Sequence, residues 1–148
     1  MLIDSHCHLD FPDLANNIDE ILENMKNNEV THALCVSVNL EDFPRILLLA
    51  ESHSNLYASV GVHPDYEDLT EPKSEELVSL AKNPKVIAIG ETGLDYSRIK
   101  GDLEWQRNRF REHIRAARQC NKPLIIHTRE AAADTLSIMA EEGADQVG

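Results

Sequence analysis

The chain has 148 residues, 42% hydrophobic and 27% charged, enough for one core with no second domain. Its net charge of −12 excludes broad electrostatic binding of nucleic acid, but not a local grip on phosphate through metal ions or a basic patch. No apolar run reaches the ~20 residues of a membrane span, and the N-terminus lacks the pattern of a secretory signal; the three separated cysteines, Cys7, Cys35 and Cys120, read as reduced thiols of a cytoplasmic protein, the last two buried.

Met1-Leu2-Ile3 opens a strand that runs into Asp4-Ser5-His6-Cys7-His8. Alternation places Asp4, His6 and His8 on one face, so that both imidazoles can reach one divalent cation. After a polar loop with Pro12, a helix is predicted from about 17 to 28, with Ile18, Ile21, Leu22 and Met25 inward and Asn17 and Glu20 as a capping box. Residues 33–38 read as a strand. Residues 41–52 read as a helix with Phe43, Ile46, Leu47 and Ala50 inward. A third strand, 56–62, ends at Gly61-Val62-His63-Pro64. A helix over 73–82 shows Leu77, Leu80 and Ala81, and a fourth strand, 85–90, runs straight into Glu91. A loop leads to a long helix over 103–119 with an apolar stripe of Phe110, Ile114 and Ala117. Residues 123–127 form a fifth strand ending at His127, and a last helix covers 130–142. Its inward residues are Ala132, Leu136, Met139 and Ala140, with Gly143 as its C-cap.

Strands alternating with helices give a parallel α/β sheet with crossover helices. No Gly-x-Gly-x-x-Gly follows the first strand and no Gly-Lys-Ser/Thr loop is present, which disfavours dinucleotide and triphosphate binding. Seven of the 14 basic residues fall between Arg98 and Arg118. Arg107, Arg111, Arg115 and Arg118 recur at helical spacing, which reads as a solvated face.

Polar residues gather where strands end: His6, His8, His63, Glu91 and His127. Taken singly, Glu91 reads as a cap or ion-paired carboxylate, His127 as a core histidine and His63 as a turn residue before Pro64. Together they are a mixed imidazole and carboxylate set suited to a hydrolytic metal site. A carboxylate can bridge two cations, and two cations can clamp both oxygens of a phosphodiester displacement.

Asp4-Ser5-His6-Cys7-His8, Gly61-Val62-His63-Pro64, Gly90-Glu91-Thr92-Gly93-Leu94-Asp95-Tyr96 and His127-Thr128-Arg129-Glu130-Ala131 resemble the successive signatures of the TatD family of metal-dependent deoxyribonucleases. That resemblance implies an amidohydrolase-like (β/α)8 TIM-barrel fold, of which this single domain, 1–148, holds about the first five βα units. It implies two divalent ions (Mg, Mn or Zn), with His6 and His8 on one, Glu91 as catalytic bridge and His127 on the second. His63 and Arg129 match positions that bind substrate, Asp95 matches an orienting position, and Asp4 supports the first strand. The implied reaction is hydrolysis of DNA phosphodiester bonds, of exonuclease type, on single-stranded or exposed ends, with no membrane partner.

A (β/α)8 barrel usually takes about 250 residues. The family pattern adds a His after strand six and an Asp after strand eight, and the sequence reaches neither. The expectation is a shortened piece of a longer enzyme, with impaired activity and with strands one and five as open edges that invite association. Two rival readings stand beside it: a small-molecule amidohydrolase, lactonase or phosphotriesterase on the same barrel, and a non-catalytic metal-binding fragment.

Overall fold

A computed structural model describes residues 1–147; Gly148, the last residue of the expected domain, lies outside the described residues. The strands are β1 (Leu2–Cys7), β2 (Val30–Cys35), β3 (Leu56–Val60), β4 (Val86–Asp95) and β5 (Leu124–Arg129). The helices are α1 (Pro12–Ala15), α2 (Ile18–Asn27), α3 (Phe43–Ser52), α4 (Ser74–Leu80), α5 (Glu104–Cys120) and α6 (Ala132–Glu141). The sheet order is the chain order, β1-β2-β3-β4-β5, with every pair parallel. Each helical crossover returns the chain to the next strand position, so the sheet curls as part of a barrel with its helices outside. No helix among the described residues is long and apolar enough to cross a membrane.

The core lies between the outer face of the sheet and the helices. Ile46, Leu56, Leu77 and Ile89 are fully buried there, and each contributes about 1.5–3 kcal/mol by leaving water. Phe110 and Ile114 of α5 fill a second cluster with Leu94 and Ile138. The predicted inward faces of α2, α3 and α4 are the faces that pack. The curl leaves β1 as an open edge among the described residues, with Leu2 and Ile3 61% and 62% exposed.

Several expectations are corrected. The loop at Pro12 is the short helix α1, because proline suits a first helical turn. Asn17 does precede α2, but its side chain bonds back to the Asp13 carbonyl and closes no capping box. Strand β2 begins at Val30, three residues early, since parallel pairing with Leu2 and Ile3 starts there. Strand β4 continues through Glu91 to Asp95, because β5 pairs with it as far as Arg129. Cys35 is fully buried, whereas Cys120 is only half-buried. The packed stripe of α6 is Thr135, Ile138 and the expected Met139, with Ala131 just before the helix, while Ala132, Leu136 and Ala140 are exposed. The Thr135 hydroxyl meets that of Thr128 at 2.9 Å, which turns this stripe toward β5.

Candidate metal centre

Glu91 sits in the middle of β4, 9% exposed, because two glycines let β5 close on it. Gly90 and Gly93 have φ of +137° and +131°. A Cβ on Gly90 would lie 2.6 Å from the Ile125 carbonyl oxygen, and one on Gly93 would strike the His127 carbonyl. Glycine at both positions brings His127 level with Gly93 and into reach of Glu91. On the other side, the Glu91 N–H donates to the Ser37 carbonyl at 2.8 Å. The buried Ser59 hydroxyl donates to the Gly90 carbonyl and accepts the Ser37 N–H.

The two oxygens of Glu91 face different partners. Oε2 lies 3.2 Å from His6 Nε2, on the side of His8. Oε1 lies 3.4 Å from His127 Nδ1 and 3.7 Å from His63 Nε2. His6, His8 and Glu91 therefore form one cluster with metal-ligand spacing, and His63, Glu91 and His127 form a second. The carboxylate is common to both.

Hydrogen bonds fix which ring nitrogen each histidine offers. His8 Nδ1 is 3.0 Å from the Val36 carbonyl, so Nδ1 donates and Nε2 is left with its lone pair. Phe11 stacks on the same ring at 4.9 Å. His127 Nε2 is 2.9 Å from Asp95 Oδ2, so Nε2 donates and Nδ1 turns its lone pair toward Glu91. Such outer hydrogen bonds orient metal-binding imidazoles. His63 is the reverse. Its Nδ1 accepts the Asp65 N–H at 3.1 Å, which puts the proton on Nε2, 3.1 Å from His127 Nδ1.

Burial pushes the Asp95 carboxyl up, but hydrogen bonds from the Arg98 N–H, the His127 ring and the Ser97 N–H outweigh it and hold it below the usual range. Burial pushes the His63 imidazole down, against the opposing pull of Glu91 and with His127 adding to it. The Asp4 carboxylate accepts the His6 N–H at 3.0 Å and tightens the end of β1. Arg129 is exposed at the last position of β5, paired in register with Asp95.

One set of positioning residues escapes the sequence reading. Gln106, Arg109 and His113 form a buried polar row on α5. Gln106 bonds the N–H and carbonyl of Asp95 and the carbonyl of Pro64. Arg109 donates to the His63 carbonyl at 2.9 Å and grips Glu71 through two bonds. His113 accepts the Val62 N–H at 3.0 Å and donates to the Arg109 carbonyl at 2.8 Å. The row thus holds both segments that carry His63 and Asp95. Three arginines of α5 pair with acids, Arg107 with Glu104 and Asp134, Arg111 with Glu104 and Glu141, and Arg115 with Glu112 and Glu142, while the exposed Arg118 donates to the Glu142 carbonyl. Three of the four helical-spaced arginines are thus compensated by carboxylates among the described residues.

Burial of His113 has a consequence for stability. Its imidazole is pushed down to about 4, below the unfolded value of about 6.5. Between those values the unfolded chain binds a proton that the folded chain refuses, so stability falls as pH drops from 6.5 toward 4. The drop attributable to this residue is about 3 kcal/mol. Urea melts of the native protein and of His113→Gln across that range check it: the variant loses that part of the pH slope.

The sequence model of a family described as "TatD related DNase" matches residues 3–148. The chain belongs to the TatD family. An uncharacterized metal-dependent hydrolase of Buchnera aphidicola (subsp. Baizongia pistaciae) is 41% identical over 150 residues, covering 98% of this chain and 56% of the relative. The uncharacterized metal-dependent hydrolase YabD of Bacillus subtilis is 36% identical over 149 residues, covering 100% of this chain and 58% of YabD. Among solved structures, the TatD homologue YJJV of Escherichia coli superposes with a TM-score of 0.88 at 29% identity, over 99% of this chain and 58% of YJJV. The chain therefore spans a little over half the length of the TatD relatives it matches.

Proposed function

We propose that this TatD-family chain carries the greater part of a two-metal phosphodiesterase centre that acts on DNA. The observation behind this reading is the division of Glu91: one oxygen toward His6 and His8, the other toward His127 and His63. In this reading His6, His8 and Glu91 would hold one divalent ion (Mg, Mn or Zn), and Glu91 and His127 would hold a second. Imidazoles whose second nitrogen is tied to the Val36 carbonyl or to Asp95, together with one buried carboxylate, fit such ions chemically. Bound divalent ions would supply an acidified water and neutralise phosphate charge.

The chain's own residues do the rest. Asp95 keeps the His127 ring in the orientation that presents Nδ1. His63 presents Nε2–H toward the same space and donates it to a phosphoryl or leaving oxygen. Arg129, at the rim, pairs with the phosphate. With a net charge of −12 and paired arginines on α5, a long duplex gains little electrostatic hold. The resemblance to the TatD deoxyribonucleases is what favours single-stranded or exposed ends and exonuclease-type cleavage.

The test is cleavage of end-labelled single-stranded and blunt duplex DNA, and of internally labelled circular DNA, with Mg²⁺, Mn²⁺ or Zn²⁺, beside a panel of lactones and phosphotriesters. The expected result is slow metal-dependent shortening of the linear single strand, in line with the impaired activity expected from the sequence, and none of the circle. Turnover of a lactone or phosphotriester with all three DNAs left intact would overturn the reading in favour of a small-molecule hydrolase.

A further inference from the structure

A cavity of about 400 Å³ opens between the segments that follow β2 and β3, at the sheet edge that carries the candidate metal centre. Its volume is that of a small-molecule site. Its walls come from the second and third βα units, so its shape depends on neither end strand of the sheet, β1 or β5. One wall continues from the turn of His63. The His63 N–H donates to the Val38 carbonyl at 2.8 Å, and the Tyr66 N–H donates to the His63 carbonyl at 3.2 Å. Val62, whose N–H donates to His113, lies in the floor. The cavity thus shares its wall with the segment that places His63.

The lining is of two kinds. Leu40, Val62 and Leu69 are apolar, and Tyr66 adds an aromatic ring on a residue that is 37% exposed. Around them stand Glu41, Glu67, Asp68 and Glu76, with no lysine, arginine or histidine among the described residues of the lining. Acids alone would suit any cation. An aromatic and apolar bed calls instead for a flat, uncharged ring system. Carboxylates at its margin call for N–H donors along the edge of that ring, and they keep a phosphate out of the cavity. A nucleobase meets all three conditions, with its own phosphate outside.

We infer that this cavity is a base-binding subsite for a nucleotide of the DNA strand at the metal centre, with Tyr66 as its stacking platform and a preference for bases that present donors. The inference deepens the proposed function and rests on it for the identity of the strand. Guanine presents N1–H and its N2 amino group side by side, a pair that one carboxylate accepts with both oxygens. Thymine presents one N–H between two carbonyls, which meet the carboxylates as like partial charges. The order of preference therefore runs from guanine, first, to thymine, last.

The first arm of the test contains neither metal nor phosphate. The ¹⁵N-labelled protein is titrated with deoxyguanosine, thymidine or spermidine, and the amide shifts of Leu40, Tyr66 and Leu69 are followed. Deoxyguanosine is expected to move these amides with about tenfold higher affinity than thymidine. Tyr66→Ala is expected to weaken deoxyguanosine about tenfold, and Tyr66→Phe, which keeps the ring, to bind it as the native protein does. No shift with either nucleoside, thymidine bound as tightly as deoxyguanosine, or spermidine moving these amides in place of the nucleosides overturns the inference. The second arm reads the strand, by fluorescence anisotropy of two labelled octanucleotides with Mg²⁺. One is thymidine throughout and the other carries guanosine at alternate positions. The guanosine-bearing strand is expected to bind about tenfold tighter, and Tyr66→Ala to abolish most of that difference. Nucleosides that bind while the protein shows no preference between the strands would mean that the strand does not use this cavity, and the inference falls. Neither arm reads cleavage. A chain that binds as expected but leaves DNA intact would sink the proposed function and leave the subsite standing.

Discussion

Glu91→Ala removes divalent metal binding from both clusters in one step. The carboxylate has one oxygen 3.2 Å from His6 and the other 3.4 Å from His127, so each cluster loses its only acidic ligand. A group that merely orients a ligand is worth about 10–100-fold in metal affinity, so loss of a shared anionic ligand exceeds about 100-fold at each position. His6→Ala and His127→Ala serve as references, each weakening its own cluster and sparing the other. Isothermal titration with Zn²⁺ and Mn²⁺, together with metal analysis of the purified proteins, checks the pattern. Loss confined to one cluster in Glu91→Ala would show that the carboxylate is not shared, and the two-metal reading would fall with it.

Arg109→Ala is the most damaging change outside the cluster. The guanidinium is 1% exposed, grips the Glu71 carboxylate at 2.7 and 2.8 Å, donates to the His63 carbonyl and lies over the Trp105 ring. Breaking a buried pair by removing one partner costs about 3–5 kcal/mol. Glu71 is part-exposed and recovers some hydration, which places this change near the lower end, about 3 kcal/mol. For a chain of this size that lowers the thermal midpoint by roughly 6–12 °C. Arg109→Lys restores only part, since one ammonium cannot reproduce the two-pronged grip while also reaching the His63 carbonyl. Thermal and urea melts of the variants measure it. A loss below about 1 kcal/mol would mean that the row on α5 does not hold the His63 segment.

Much of this architecture was legible before any coordinates. Apolar residues at i, i+3, i+4 and i+7 gave α2 and α3, and short apolar runs gave the strands, because burial of one stripe or one run is a local property of the chain. The grouping of His6, His8, Glu91 and His127 followed from the parallel order alone, since every such strand delivers its C-terminal end to the same edge. The four signatures then matched the family to which the chain belongs.

Other features depended on partners distant in sequence. Gln106, Arg109 and His113 look like ordinary polar residues of an arginine-rich helix, and only the approach of residues 62–64 and Asp95 shows them buried and bonded. The packed face of α6 is set by Thr135 meeting Thr128, a contact that hydrophobic spacing does not encode. Sequence placed Glu91 beside the histidines but not the separate directions of its two oxygens, nor the nitrogen each ring presents. The sequence alone determined the βα order and the residues brought to one edge, because periodic burial and parallel pairing are written locally. Only the tertiary structure decided their orientations, because a hydrogen-bond direction is set by where the other chain segment arrives.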